Sequence, residues 1–119
     1  MKKTLIIGAS PDSSRYGYKA EHMLTRFNHE IVNVGIKRGE VAGVEIESQG
    51  DIHSDIDTVT LYIGPAFQPQ YYDYILDTKP KRVIFNPGTE NFELEKLLDQ
   101  HNIEPMRACT LVLLSTGQY

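Results

Sequence analysis

The first 34 residues change hydrophobic period twice, and that restricts the fold more than any other feature of the chain. Leu5, Ile6 and Ile7 form a short apolar run, β-branched at two positions, that ends at Gly8. This pattern predicts a buried strand over Leu5–Ile7. From Arg15 to Phe27 the period lengthens. Tyr16, Ala20, Met23, Leu24 and Phe27 recur at helical spacing. Asp12, Ser13 or Ser14 is the expected cap of this helix, and Asn28 suits its end. Ile31–Val34 reads as a second strand. Strand, tight loop, helix and strand in this length make one βαβ unit, which requires two parallel strands joined by a crossover.

The alternation continues. "GIKRGEVAGVEIESQGDIHSDID" reads as a long loop with a small edge strand around Val44–Ile46. Thr58–Ile63 is a strong strand closed by Gly64-Pro65. A helix follows, with Pro69 in its first turn, Tyr72, Ile75 and Leu76 on its apolar face and Pro80 at its end. Val83–Phe85 is a further buried strand. Phe92–His101 is a helix with Asn91 or Thr89 as cap, and Glu104–Arg107 is the last strand. "CTLVLLSTGQ" fits either a strand or a short helix capped by Thr110. The expected architecture is α/β: a doubly wound, mainly parallel sheet of about five strands with helices on both faces, in one domain over residues 1–119.

Such sheets hold ligands at the carboxyl ends of their strands. The segments Gly8–Arg15, Gly35–Gly43, Gly64–Gln68, Asn86–Asn91 and Ala108–Thr110 are therefore the candidate site. In "GASPDSSR", Gly8, Ser10 and Ser13 occupy the three small-residue positions of a dinucleotide loop. Small residues let backbone N–H groups approach a phosphate at a helix N-terminus, and Arg15 adds a charge that pairs with it. An NAD site usually ends its second strand with an acid for the ribose. Here the positions after that strand are Gly35, Lys37 and Arg38, and the first acid is Glu40. A cation there favours a phosphorylated ribose, which leaves coenzyme A and NADP both open. Gly64 and Pro65 would let a flat base approach the backbone. Asn86, before Pro87 and Gly88, offers an amide beside a rigid turn. Cys109 follows the last strand, as a thiol near the ligand or as a small buried apolar residue.

The net charge of −4 provides no electrostatic footprint for nucleic acid. No apolar run reaches the length of a membrane span, and Leu5–Ile7 is too short for a signal peptide. A single cysteine cannot form an internal disulfide, so a reducing cytoplasm is expected. The four histidines are scattered, no catalytic triad spacing occurs, and neither catalytic residues nor a metal site are expected.

"IIGASPDSSRYGYKAEHML", "VGIKRGEVAG", "FNPGTEN" and "CTLVLLSTGQ" together resemble the small stand-alone CoA-binding domain proteins of bacteria, over nearly the whole chain and in the same loop order. More distantly the chain resembles the CoA-binding domain of the succinyl-CoA synthetase α subunit. The resemblance implies a Rossmann-like, nucleotide-binding fold with coenzyme A or acyl-CoA as ligand. It implies Gly8, Ala9 and Ser10 at the pyrophosphate and Arg15 and Tyr16 beside the phosphates. Lys37 would meet the phosphorylated ribose, and Ile63, Gly64 and Pro65 the adenine. Asn86, Pro87 and Gly88 would lie toward the pantetheine arm. Many relatives carry Asn-Pro before that lysine, where this chain has Gly35-Ile36. The expected role is non-enzymatic binding. The alternative is a small NADP-dependent or CoA-thiol-exchange enzyme using Cys109. Exposed sheet edges leave a homodimer or an unidentified protein partner open.

Overall fold

The computed structural model describes residues 1–119. β1 (Thr4–Ile7) leads into α1 (Tyr16–Arg26) and β2 (Ile31–Val34). A hairpin follows, of β3 (Glu40–Val41) and β4 (Val44–Glu47). β5 (Thr58–Leu61) precedes two 3₁₀ turns, Pro65–Phe67 and Pro69–Tyr71, and α2 (Tyr72–Thr78). β6 (Arg82–Phe85), α3 (Phe92–Gln100), β7 (Glu104–Arg107) and α4 (Thr110–Ser115) complete the chain.

The strands form one sheet in the order β3-β4-β2-β1-β5-β6-β7. All pairings are parallel except the β3–β4 hairpin. The sheet thus has seven strands where about five are expected from the sequence. β4 is the edge strand expected around Val44–Ile46, and β3, from the segment read as loop, pairs with it as a hairpin. Its turn residues are Ala42 and Gly43, at φ +52° and +80°. That is the geometry of a tight hairpin, but alanine seldom takes a left-handed conformation, so the usual Asn-Gly signal is missing. Asn33 on β2 anchors the hairpin, its amide donating to the carbonyls of Val41 and Val44 at 3.1 Å each.

Two further expectations change. Thr58–Ile63 stops as a strand at Leu61, because Tyr62 and Ile63 already turn into the next loop. "CTLVLLSTGQ" is a helix, with Cys109 rather than Thr110 at its N-cap.

Helices cover both faces. Alternate strand residues Leu5, Ile7, Val59, Leu61, Val83 and Phe85 pack under α2 and α3, against Ile75, Leu94 and Leu98. The opposite face packs Ile6, Ile46 and Ile84 under α1 and α4, against Leu24 and Leu114. Full burial of each such side chain contributes roughly 1.5–3 kcal/mol. The second face also buries polar groups, and most are paired. Arg82 donates to the Thr58 hydroxyl at 2.8 Å and to the Tyr119 carbonyl at 2.9 Å. The Thr60 and Thr110 hydroxyls meet at 2.9 Å. Among the exceptions is Glu21 of α1, fully buried with neither carboxyl oxygen hydrogen-bonded. Burial alone pushes its pKa up to about 8.

Candidate functional site

From β1 the chain crosses to β2 on one side, and β5 pairs on the other. Strand order therefore reverses beside β1, and the helices that follow β1 and β5 diverge there. A cleft of about 950 Å³ opens at this reversal, over the carboxyl ends of the strands.

The β1–α1 loop forms its floor. Gly8 has φ +96°, and a Cβ there would lie 2.7 Å from Ile63 Cγ2 and 2.9 Å from the Tyr62 carbonyl. Only glycine lets β1 and β5 approach so closely before the loop turns. Gly8 and Ala9 N–H both donate to Val34 O, at 2.9 and 3.0 Å, so they hold the loop rather than face a ligand. Ser10 N–H has no protein acceptor, whereas Ser10 Oγ accepts from Asp12 N–H at 3.1 Å and keeps its own proton free. Asp12 Oδ1 accepts from Ser14 N–H at 2.9 Å and from its hydroxyl at 2.7 Å, which holds the Asp12 carboxyl below its ordinary pKa. None of Asp12, Ser13 and Ser14 caps α1. The N-cap is Arg15, which makes no side-chain cap, and the N–H groups of Tyr16 and Gly17 have no protein acceptor. An uncapped eleven-residue helix opens on the cleft with its donors free.

Gly35, Ile36 and Lys37 form one side wall. A Cβ on Gly35 would fall 2.4 Å from Ala9 O, so this glycine lets the two loops touch. Lys37 and Arg15 are exposed. Lys37 forms no ion pair, and Arg15 reaches only Asp12, at 4.0 Å. They are the only charged residues that line the cleft, in a chain whose net charge is −4. The site is a positive spot on an acidic protein.

Ile63, Gly64 and Phe67 face them from the β5 loop. A Cβ on Gly64 would meet nothing within 4 Å, so this residue is free of packing demands. Gln68, fully buried, ties this loop to the next one. Its amide donates to Ile63 O at 3.0 Å and Thr89 O at 2.7 Å, and it accepts from the Asn91 amide at 2.9 Å. Asn91 caps α3 by accepting from Leu94 N–H at 3.2 Å.

Asn86, Pro87, Gly88 and Thr89 close the far end with Cys109 and Leu111. The Asn86 side chain is not free to hold a ligand amide. It donates to Thr60 Oγ1 at 2.6 Å and Leu61 O at 2.8 Å, and accepts from Thr110 N–H at 2.9 Å. It clamps the end of β5 to the start of α4, and this clamp sets Cys109 on the cleft wall. Tyr62 also lines the cleft, and its buried hydroxyl has no hydrogen-bond partner. Burial pushes its pKa well above the ordinary tyrosine value.

The fold thus brings thirteen of the fifteen candidate residues to one cleft: Gly8, Ala9, Ser10, Arg15, Tyr16, Gly35, Lys37, Ile63, Gly64, Asn86, Pro87, Gly88 and Cys109. Ser13 and Pro65 do not line it. Ser13 lines a separate groove beside α1, and Pro65 is exposed at the start of a 3₁₀ turn. Tyr62, Phe67 and Tyr71 were not among the sequence candidates. Tyr71 precedes α2, where the chain is still turning over the cleft.

A parallel α/β sheet with a cationic cleft at its strand reversal, and an uncapped helix behind it, is chemically suited to an anionic small molecule. The chain belongs to the CoA binding domain family, which matches residues 2–115. It is similar over its full length to an uncharacterized protein of known crystal structure, with 54% identity, TM-score 0.98 and 98% of that chain covered. A hypothetical protein from Pyrococcus horikoshii OT3 shares 25% identity at TM-score 0.89, over 97% of this chain and 82% of that one. A Thermus thermophilus protein shares the fold at 20% identity and TM-score 0.88, over 99% of this chain and 90% of that one. No curated protein matches the chain. No helix is long and apolar enough to cross a membrane.

Proposed function

We propose that this chain is a non-enzymatic module that binds coenzyme A or an acyl-CoA in the cleft. One observation carries the reading: the cleft's only charges are the cations Arg15 and Lys37, beside the free N–H groups of Ser10, Tyr16 and Gly17. That set suits a ligand with a diphosphate and a separate phosphate. The diphosphate would lie between Ser10 and the α1 N-terminus, with Arg15 across it. Lys37 would pair with the 3′-phosphate on the ribose. Gly64 would give the adenine access to the backbone, between Ile63 and Phe67. The pantetheine arm would run past Pro87 and Gly88 toward Cys109. A volume of about 950 Å³ supports a ligand of this size. The protein would act in a reducing cytoplasm, as one domain, sensing the cofactor or serving a partner.

Calorimetric titration with CoA, dephospho-CoA and NADP tests the reading. CoA should bind most tightly. Removal of its 3′-phosphate should weaken binding roughly tenfold, and Lys37→Ala should abolish that difference. No heat with CoA at millimolar concentration refutes the assignment. Equal affinity for dephospho-CoA refutes the role of Lys37 alone.

The position of Cys109 on the wall favours one second reading, thiol exchange. Its thiolate would attack the S–S bond of a CoA disulfide, forming a mixed disulfide and releasing one CoA thiolate. A Cys109→Ser variant that exchanges as fast as the parent chain would exclude it.

A further inference from the structure

A second groove, of about 510 Å³, opens beside the cleft. Tyr18, Lys19, His22, Met23 and Arg26 of α1 form one wall, and Leu111 of α4 stands opposite. Leu111 also lines the cleft, so this one side chain is a wall common to both cavities. The junction lies at the corner fixed by the Asn86–Thr110 hydrogen bond, two residues beyond Cys109. A group carried on the thiol of a ligand in the cleft would emerge there.

The groove's chemistry is specific. Tyr18, Met23 and Leu111 supply apolar walls. Lys19 and Arg26 are exposed, and neither forms an ion pair; Lys19 Nζ lies 5.3 Å over the Tyr16 ring. His22 packs against Tyr18 with ring centroids 4.5 Å apart and the planes tilted by 47°. No acid lines the groove. Two unpaired cations along a groove that holds no acid mark a place for an anionic group.

We infer that this groove receives the acyl group of an acyl-CoA, and that it selects an acyl chain ending in a carboxylate. The inference rests on the coenzyme A reading above. The methylenes pass Leu111 and lie along Tyr18 and Met23. The terminal carboxylate meets Lys19 and Arg26. A neutral acyl group of the same length would leave those cations solvated and gain only its apolar contacts.

Calorimetric titration with CoA, pentanoyl-CoA and glutaryl-CoA separates the possibilities, because the two acyl groups have equal carbon counts. Glutaryl-CoA should bind about tenfold or more tighter than either of the others. The double variant Lys19→Met, Arg26→Met should lose that preference while keeping the parent affinity for CoA. Equal binding of glutaryl-CoA and pentanoyl-CoA overturns the inference and leaves the CoA assignment standing. So does a preference that survives in the double variant. Absence of CoA binding overturns the assignment, and this inference with it.

Discussion

Glu21 gives the sharpest stability test. Its carboxyl is fully buried on the inner face of α1, and neither oxygen is hydrogen-bonded. Burial raises its pKa from the ordinary 4.5 to about 8. The sign of the effect follows from proton counts. Between these values an unfolded chain releases this proton and the folded chain keeps it. Folding is then coupled to proton uptake, so stability falls as pH rises, by about 1.4 kcal/mol per pH unit at most. From about pH 5 to about pH 7.5 the loss amounts to roughly 3 kcal/mol from this one group. Above the folded pKa both states are ionised and the slope from Glu21 ends. Glu21→Gln keeps the shape and removes the titration. Urea denaturation of both chains at a series of pH values isolates the term, because every other group cancels in the difference. The variant should gain on the parent steadily through this range, ending about 3 kcal/mol ahead of its offset at pH 5. Parallel stability curves would show that Glu21 is paired or solvated in the native state, and the argument from its burial would be wrong.

The remaining predictions concern the cleft. Gly64→Val adds a side chain where a Cβ meets nothing within 4 Å. It should change stability by less than about 1 kcal/mol while weakening CoA binding at least roughly tenfold, as read by denaturation and calorimetry on the same sample. Undiminished affinity would remove the base from beside Gly64. Gly8→Ala should destabilise by about 2 kcal/mol or more, from a positive φ and contacts under 3 Å, measurable as a fall in the urea midpoint. Asn86→Ala deletes three buried hydrogen bonds and leaves Thr110 N–H without its acceptor. It should cost about 2–4 kcal/mol, and increased labelling of Cys109 by a thiol reagent would report the loosened start of α4.

What could be read in the chain depended on the range of the interaction. β1, α1 and β2 were legible because period and burial are set within a few residues, as in the Leu5–Ile7 run and the Ala20, Leu24 pair, although Tyr16 of the expected stripe is exposed. The cleft followed, since a parallel sheet puts every post-strand loop on one edge. β4 was legible as an edge strand, but its hairpin partner was hidden, because Ala42-Gly43 does not announce a tight turn and β3 has only two residues. The α1 cap was misread for a related reason. Asp12 and Ser14 have capping side chains, but they satisfy each other within the loop.

Asn86 and Gln68 carry the larger lesson. Both sit in loops where an amide invites assignment to a ligand, and both are spent on the protein. Asn86 joins β5 to α4, and Gln68 joins the β5 loop to the cap of α3. Apart from Ile63 O, their partners lie 21 to 26 residues away in sequence, beyond the reach of any local pattern. The consequence is a division of labour across the cleft. Toward β5 and β6, side-chain amides lock the loops together. Toward β1 and β2, the donors of Ser10, Tyr16 and Gly17 and the cations Arg15 and Lys37 stay uncommitted. A ligand that binds by its phosphates meets a wall already held in shape, so little ordering of the far loops opposes its binding.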